Sequence, residues 1–333
     1  MIITTIAYAR AGLVGNPSDG YFGKTISFII RNFSATVSLW ESPHFEIVPT
    51  HGDFARFDNI HEFLRDQKLH GYYGGLRLIK AAVKRFHDYF RKEGIELQDR
   101  SFTISYTTDI PRLVGLSGSS AIITATMRAL MQYYEVSIPK QMLPTVVRSV
   151  ETEELGIAAG LQDRVIQTYE GIVYMDFDRT LLDSRGYGNY EELRPKSLPP
   201  LYVAYDPDRA EISDVPHRNL RELYNRGEKG VVEAMAKFRD LTDQGKAALM
   251  SGNWDELSRV MNANFDLRRT IMSIAPENLH MVEVARATGA SAKFAGSGGA
   301  ICGLYRDGRQ YQKLADDLAK IRCTVIRPLI FEA

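Results

Sequence analysis

The chain has 333 residues, of which 44% are hydrophobic and 25% charged, and its formal net charge at pH 7 is zero. A neutral chain has no overall field to recruit nucleic acid or an anionic membrane, so we expect neither as a partner. Two cysteines argue against a disulfide framework, seven scattered histidines offer no pair at metal-ligand spacing, and no apolar run approaches the length of a membrane span. The first residues lack the charged region and cleavage site of a signal peptide, so we expect a cytoplasmic protein.

Hydrophobic patterning predicts a chain in which strands and helices mix, an α+β class. The predicted strands are residues 2–8, 24–30, 34–40, 45–49, 102–107, 171–177, 201–205, 301–305 and 323–329. The predicted helices are residues 76–92, 121–134, 140–155, 218–226, 231–250, 254–274, 278–288 and 310–320. Gly245 is a candidate end for the helix that begins at residue 231. The stretch 193–200 turns to Pro, Lys and Ser, and it divides the chain into predicted domains 1–195 and 196–333.

The central loop (residues 111–120) is rich in small residues and lies between a predicted strand and a predicted helix. Gly115 and Gly118 carry no side chain that would hold a ligand away from the backbone. Ser119 and Ser120 stand where the helix starts, and a helix start presents unpaired N–H groups and a positive dipole end. Proteins bind phosphate in this way, although an ordinary loop with a serine N-cap fits the same residues. The Walker pattern and the dinucleotide fingerprint are incomplete, so the loop needs support from other motifs.

Two other loops combine glycine with polar groups: the N-terminal loop (residues 10–23) and the C-terminal loop (residues 295–300). The N-terminal loop carries the mixture of groups that hydrogen-bonds a polyol, although an ordinary long turn is an equally good interpretation. Two acidic residues, Glu151 and Asp163, lie in the chain between the central loop and the C-terminal loop. A phosphoryl transfer needs a phosphate cradle, magnesium ligands, a group that orients or deprotonates the attacking hydroxyl, and an acceptor pocket. Because Mg²⁺ is usually held by few protein oxygens, Glu151 and Ser120 would suffice as its ligands.

Three motifs, in the correct order and at the correct distances, resemble those of the GHMP kinases, the superfamily of galactokinase, homoserine kinase, mevalonate kinase and phosphomevalonate kinase. The central motif, Pro-x-x-x-Gly-Leu-small-Ser-Ser-Ala, is matched by residues 111–121 with one extra small residue. The glycine-rich third motif is matched by residues 293–300. The sugar-kinase form of the first motif, Arg-x-x-x-x-Gly-x-x-x-Asp, is matched by Arg10, Gly15 and Asp19. The resemblance implies a two-domain fold, with an N-terminal domain like domain 2 of ribosomal protein S5, a ferredoxin-like C-terminal domain, and the site between them.

One position departs from that pattern, because the usual Glu-His after the glycine of the first motif is here Asn16-Pro17. A narrower resemblance, nearly end to end, is to the glucuronokinases of the plant type. It rests on residues 15–23, 71–75, 115–121, 160–164 and 267–269. That family uses ATP to phosphorylate D-glucuronate at its anomeric hydroxyl, so the resemblance implies ATP, Mg²⁺ and a sugar or uronate as ligands. A kinase for galactose, arabinose, fucose or a heptose phosphate is the enzymatic alternative, and an inactive metabolite-binding member is the other.

Motif position also implies roles for single residues. Asp163 would orient or deprotonate the sugar hydroxyl, and Arg10 would stabilise transferred charge and lower the pKa of Asp163. The alternative for Asp163 is a purely structural salt bridge with Arg164. Ser120 and Glu151 would bind magnesium. The residues implied to bind the ATP phosphates are Pro111, Gly115, Leu116, Ser117, Gly118, Ser119 and Ser120, and those implied to bind the sugar are Asn16, Asp19, Tyr21, Arg164, Gly296, Ser297, Gly298 and Gly299.

A uronate carries a carboxylate, which an arginine fork binds well. Arg164, Arg268 and Arg269 are the candidates, and a solvated helix end is the favoured interpretation of the last two. The sequence leaves open whether the protein is a monomer or a homodimer.

Overall fold

In a computed structural model of the chain, residues 2–49, 74–207 and 214–331 are described, without the side chains of 214–219. The strands are β1 (Ile2–Val14), β2 (Lys24–Glu41), β3 (Glu46–Val48), β4 (Phe102–Thr108), β5 (Ile172–Asp176), β6 (Asn189–Glu192), β7 (Leu201–Tyr205), β8 (Lys293–Phe294), β9 (Ala300–Leu304) and β10 (Thr324–Ile326). The helices are α1 (Gly75–Lys92), α2 (Gly118–Tyr133), α3 (Leu143–Ser149), α4 (Gln162–Tyr169), α5 (Arg179–Arg185), α6 (Asp214–Asn225), α7 (Lys229–Ser251), α8 (Trp254–Ile271), α9 (Pro276–Ala287) and α10 (Gly308–Ala319). Part of one glucuronokinase-like motif, residues 71–73, lies outside the described residues.

The strand β2 organises a six-stranded sheet formed by β1 to β6. One edge of β2 pairs antiparallel with β1, from Trp40 opposite Ile2 to Ile26 opposite Val14. Its other edge pairs with β4 along residues 35–41 and with β5 along residues 24–28. The prediction of two separate strands here is wrong, because β2 runs unbroken for 18 residues and absorbs the intervening residues as a shift in register against β1.

Helix α2 is buried against the six-stranded sheet. Its sequence is apolar on nearly every face, and a helix of that kind is stable when it is buried on every side. It packs against β1 and β2 on one side and against α1 and α4 on others. This burial fixes the direction of the helix, so its N-terminus at Gly118 is held rigidly at the end of the central loop.

The second sheet contains four antiparallel strands in the order β10-β7-β9-β8. Numbered within this half of the chain, that order is 4-1-3-2, and helices connect the first strand to the second and the third to the fourth. The α+β class is confirmed by these two sheets and their helices. The boundary predicted at residues 195/196 falls in the connection between β6 and β7 and stays a prediction.

One predicted helix is divided in the structure, and one candidate helix end is wrong. The predicted helix 140–155 is a short α3 followed by a π-helical turn, Val150–Glu154. The predicted end at Gly245 is wrong, since α7 continues to Ser251. A Cβ atom on Gly245 would lie 2.9 Å from Cγ2 of Val14. The glycine therefore lets α7 approach β1 closely instead of ending the helix. Within the described ranges, none of the helices combines the length and the hydropathy that a membrane crossing requires.

Candidate active site

The three glycine-containing loops meet beyond the middle of β1. The backbone N–H of Gly12 donates to the carbonyl of Ala295 over 2.7 Å. A Cβ atom on Gly115 would lie 2.6 Å from the carbonyl oxygen of Gly298, and one on Gly296 would lie 2.3 Å from that of Gly115. Gly115 also has a φ of +73°, which side chains disfavour. The central and C-terminal loops thus touch backbone to backbone, and their glycines are required for that contact.

Arg10 joins these loops to the candidate catalytic carboxylate. Its Nε atom lies 2.6 Å from Oδ1 of Asp163. Its Nη1 atom donates to the carbonyls of Gly115 at 2.7 Å and Ala295 at 3.1 Å. The arginine side chain is 6% exposed, so its charge and its hydrogen bonds act in a largely dehydrated environment. One residue of β1 therefore positions both loops and Asp163.

Asp163 lies at the start of α4 and its second oxygen is also bonded. Oδ2 accepts a hydrogen bond from the hydroxyl of Ser117 at 2.7 Å and one from Nη1 of Arg164 at 3.3 Å. Burial alone would raise the pKa of Asp163, but the charges of Arg10 and Arg164 and the bonds from Arg10 and Ser117 lower it to about 2. The group is ionised at neutral pH, and 20% of its side chain remains exposed. A carboxylate this acidic is a weak base but a good acceptor, which favours the orienting role over deprotonation.

The serines of the central loop have three different environments. Ser117 occupies the N-cap position of α2 with a φ of 66°, but its side chain makes no capping bond and turns to Asp163. Ser119 donates to Oε1 of Glu151 at 2.9 Å. Ser120 is fully buried and donates to the carbonyl of Ser117 at 3.2 Å. The structure therefore brings Ser119, the neighbour of the predicted magnesium ligand Ser120, to Glu151.

The π-helical turn after α3 selects one of three glutamates for the interior. Glu153 pairs with Arg85 and Glu154 with Lys84 on the surface. Glu151 is 3% exposed and its Oε2 atom forms an ion pair with Nη2 of Arg164. In the described part of the chain, no three acidic, His or Cys side chains cluster tightly enough to enclose a metal. A single carboxylate beside serine hydroxyls at a helix N-terminus nevertheless fits Mg²⁺, which shares its coordination with phosphates and water.

Asp19 lies next to this network, in a 3₁₀ turn, Ser18–Tyr21. Its Oδ2 atom accepts a bond from the backbone N–H of Gln162 at 3.4 Å. A Cβ atom on Gly160 would lie 2.0 Å from the same oxygen, so the glycine is needed for the approach. Burial, reinforced by the negative charge of Asp163, raises the pKa of Asp19 to about 6. The pKa of Asp19 is thus raised and that of its neighbour Asp163 is lowered. Opposite shifts in two neighbouring carboxylates are typical of functional sites.

We expect the variant Asp19→Asn to change how stability depends on pH. The folded state binds the Asp19 proton more tightly than the unfolded chain does, so the contribution of Asp19 to wild-type stability falls as pH rises from about 4 to about 6. Asparagine removes that loss. Thermal unfolding measured from pH 4.5 to 7.5 should show the variant gaining about 1–2 kcal/mol relative to wild type across the window. A pH-independent difference would contradict the raised pKa, and Asp183→Asn, at an exposed carboxylate, is the control.

The C-terminal loop is held by a buried arginine. Arg268 donates from Nη1 to the carbonyl of Gly296 at 2.8 Å and from Nη2 to that of Ser297 at 2.9 Å. It is 2% exposed, so the interpretation of Arg268 as a solvated helix end is wrong. Arg269, its neighbour, is exposed as that interpretation expects. Arg164 is bonded to Glu151 and Asp163, so the structure engages two of the three candidates for a uronate carboxylate in other contacts.

The remaining residues that are predicted to bind ATP or the sugar differ in their access to the site. Asn16 lies beside the C-terminal loop, with Nδ2 3.5 Å from the carbonyl of Gly296. Tyr21 is buried, and its ring packs on Tyr224 with centroids 4.9 Å apart, in an apolar cluster separate from the main core. Leu116 is also buried and can offer a ligand only its backbone, whereas Pro111 is partly exposed. Gly118 begins α2, and Gly298 and Gly299 lie within the packed C-terminal loop.

Two buried polar residues of this region escaped sequence-based reasoning. Asn264 of α8 accepts from the N–H of Gly15 at 2.6 Å and donates to the carbonyl of Asn16 at 3.0 Å. Lys293, the first residue of the third motif, donates to the carbonyl of Gly12 at 2.6 Å. Burial lowers the pKa of this lysine to about 8. An isolated Asn or Lys in a helix or strand usually faces solvent, so composition offered no signal for either.

Comparison with known proteins is consistent with this arrangement. Residues 77–171 match the family model of the GHMP kinase N-terminal domain. The crystal structure of Lactococcus lactis galactokinase complexed with galactose superposes with a TM-score of 0.77 at 14% identity, covering 99% of this chain and 93% of that one. The fold is therefore that of the GHMP kinases, and the predicted two-domain architecture is confirmed.

Similarity in sequence points to a narrower family than similarity in fold does. Probable glucuronokinase 2 of Arabidopsis thaliana is 41% identical over 330 residues, which are 97% of this chain and 90% of the relative. Glucuronokinase 1 of the same plant is 39% identical over 329 residues, with the same coverage. The chain belongs to the glucuronokinase family of GHMP kinases, and it is a sugar kinase in class.

Proposed function

We propose that the protein uses ATP to phosphorylate D-glucuronate at its anomeric hydroxyl, which gives glucuronate 1-phosphate and ADP. The similarity to two glucuronokinases over nearly the whole chain supports the substrate. The observation that carries the chemistry is the position of Asp163. Its carboxylate is held by Arg10 and Ser117 at the N-terminus of α2, where a phosphate group would be bound.

The reaction places little covalent chemistry on the protein and depends on positioning and charge. The anomeric oxygen attacks the γ-phosphorus, and the bond from that phosphorus to the bridging oxygen breaks, so ADP leaves with the electron pair. The Asp163 carboxylate accepts a hydrogen bond from the attacking hydroxyl, whose proton is released to solvent as the new bond forms. The first-turn N–H groups of α2 and the guanidinium of Arg10 stabilise negative charge on the transferred group. Asp19 and Asn16 hydrogen-bond sugar hydroxyls.

Magnesium belongs to the proposal as the ion bound with ATP. It would neutralise charge on the β- and γ-phosphate oxygens. Glu151 would hold it together with a serine hydroxyl from the first turn of α2. Ser120 is the ligand that the family motif implies, and Ser119 is the serine that contacts Glu151.

We expect Glu151→Gln to raise the Mg²⁺ concentration needed for half-maximal activity by at least about 10-fold, because the site loses a charged ligand. The rate is measured against free Mg²⁺ at saturating ATP. Glu153→Gln is the matched control, because Glu153 lies in the same turn but pairs with Arg85 on the surface. It should leave the Mg²⁺ dependence unchanged. Comparing Ser119→Ala with Ser120→Ala assigns the serine. An unchanged Mg²⁺ dependence in Glu151→Gln would remove Glu151 from the metal site.

The cytoplasm stays our proposed location. Cys302 and Cys323 are buried thiols without a disulfide, which suits a reducing compartment. We propose ATP and the uronate as ligands, without nucleic acid or membrane, and with either a monomer or a homodimer as the active species.

The substrate is tested by coupled ADP release with glucuronate, galacturonate, galactose, arabinose, fucose and a heptose phosphate. We expect the largest kcat/KM for glucuronate. Efficient turnover of another sugar without turnover of glucuronate would replace the substrate and keep the kinase. No turnover of any sugar by folded, ATP-binding protein would favour an inactive metabolite-binding member instead.

A further inference from the structure

Gln162, the first residue of α4, lies next to both carboxylates of the site but bonds neither of them through its side chain. Its backbone N–H donates to Oδ2 of Asp19 over 3.4 Å, and Asp163 is the next residue. The residue is 3% exposed. Its Oε1 atom is enclosed without a hydrogen-bond partner, and among the described residues its Nε2 atom donates to none. Because an unpaired buried amide costs free energy, this side chain is suited to a ligand that brings hydroxyl groups.

Asn16 brings a second unpaired amide oxygen to the same place. A Cβ atom on Gly12 would lie 3.0 Å from Nε2 of Gln162 and 3.2 Å from Cγ of Asn16. The two side-chain ends are therefore neighbours above the α-carbon of Gly12, and a side chain there would displace them. Oδ1 of Asn16 is enclosed and also has no hydrogen-bond partner among the described residues. Two amides that meet in this way form a binding place for a hydroxyl group, which both donates and accepts.

The backbone beneath this place is held firmly. The carbonyl of Gly12 accepts from Nζ of Lys293 at 2.6 Å, and its N–H donates to the carbonyl of Ala295 at 2.7 Å. Arg10, which bonds Asp163, donates to the same carbonyl of Ala295 at 3.1 Å. The amides above Gly12 and the carboxylate of Asp163 thus share one rigid frame. A preorganised frame of this kind favours discrimination between substrates, because binding requires little rearrangement.

The other buried glutamine of α4 has a structural role, which Gln162 lacks. The Nε2 atom of Gln167 donates to the carbonyl of Tyr8 at 3.1 Å and to that of Ser117 at 3.0 Å. These bonds join α4 to β1 and to the central loop, although Oε1 of Gln167 is unpaired as well. The amide of Gln162 makes no such connection. A half-turn about its last torsion exchanges oxygen and nitrogen, so it can present either atom to a ligand.

We propose that Gln162 is a specificity-determining residue that binds the 2-hydroxyl of the sugar together with Asn16. The inference rests on the proposed function and adds a substrate contact to it. Asp163 holds the anomeric hydroxyl. The anomeric carbon has one neighbour that carries a hydroxyl, carbon 2, because its other neighbour is the ring oxygen. Since Gln162 directly precedes Asp163 and is buried beside it, its amide is placed for that second hydroxyl.

The test compares glucuronate with 2-deoxyglucuronate and 4-deoxyglucuronate in wild type and in Gln162→Met. Methionine keeps the length of the side chain but has no amide. The variant should lose roughly 10-fold in kcat/KM with glucuronate and with 4-deoxyglucuronate, since both keep the 2-hydroxyl. With 2-deoxyglucuronate it should differ from wild type by less than about 2-fold, and so should the KM for ATP. Equal losses with all three sugars would overturn the proposal.

Thermal unfolding without sugar separates a substrate contact from a structural one. Gln162→Met should unfold within about 1 °C of wild type, because it removes no side-chain hydrogen bond inside the protein. Gln167→Met is the matched comparison. It removes two such bonds and should unfold about 2 °C or more below wild type. Gln312→Met, at an exposed glutamine of α10, should match wild type in both assays. A loss in Gln162→Met as large as that in Gln167→Met would overturn the proposal.

The result for wild type separates this contact from the proposed function. If wild type phosphorylates glucuronate and Gln162→Met loses the same factor with and without the 2-hydroxyl, the contact is refuted and the proposed function stands. If wild type phosphorylates a different sugar, the proposed function fails. The same comparison of that sugar with its 2-deoxy form then decides whether Gln162 binds the 2-hydroxyl.

Discussion

Asp163→Asn should lower kcat by about 10³-fold, within the range that a positioned carboxylate supplies to hydroxyl chemistry. The amide keeps the shape of the side chain but loses the charge that accepts from the sugar hydroxyl. It also loses its attraction to Arg10, whose Nε lies 2.6 Å away. ATP affinity should change little, because the N–H groups at the start of α2 are untouched. The rate is measured by ADP release and ATP affinity by calorimetry.

The matched control is Asp266→Asn, which removes a carboxylate paired with Arg286 on the surface. It should leave kcat within about 2-fold, since exposed ion pairs contribute little. A kcat above about one tenth of wild type in Asp163→Asn would contradict the assigned role, because misplacing the reacting hydroxyl costs on the order of 100-fold.

Arg10→Met should lower both activity and stability. The substitution removes the bonds that Arg10 donates to Asp163 and to the carbonyls of Gly115 and Ala295 in a buried region. Asp163 keeps its bonds from Ser117 and Arg164, but it loses its shortest ion pair. Breaking a buried ion pair from one side costs about 3–5 kcal/mol, which chemical denaturation would measure. The loss of positive charge beside the transferred group should lower kcat by a further factor of about 10².

Arg259→Met is the control for Arg10→Met, because Arg259 pairs with Glu256 on an exposed helix face. This substitution should lower the free energy of unfolding by less than about 1 kcal/mol. In the double variant Arg10→Met/Asp163→Asn, the losses in stability should be smaller than the sum of the two single losses, since the residues share one interaction. Additive losses would show that Arg10 and Asp163 act independently.

The loops of the site could be predicted because their signals are local. A strand, a run of small residues and a helix start follow one another in the sequence around Gly115, and the backbone geometry follows from those residue types. The ion pair between Arg10 and Asp163 follows from the family resemblance. The bond from Ser117 to Asp163 could not be predicted, since an N-cap serine usually bonds its own helix.

The features that were missed depend on tertiary contacts. Family position singled out Glu151, but the π-helical turn that directs it inward, while Glu153 and Glu154 stay at the surface, could not be predicted. The sequence divides β2 at residues 31–33, where Arg31 and Asn32 are polar. In the structure the residues on either side pair with β1, and the strand continues through a shift in register.

The central claim is tested most directly by phosphorus NMR of wild-type protein with ATP, Mg²⁺ and D-glucuronate. We predict one new sugar phosphate, formed in equal amount to ADP, whose phosphorus couples to the anomeric proton. Phosphate on another hydroxyl would contradict the assigned position of attack. No glucuronate phosphate from a preparation that phosphorylates a different sugar would contradict the substrate itself.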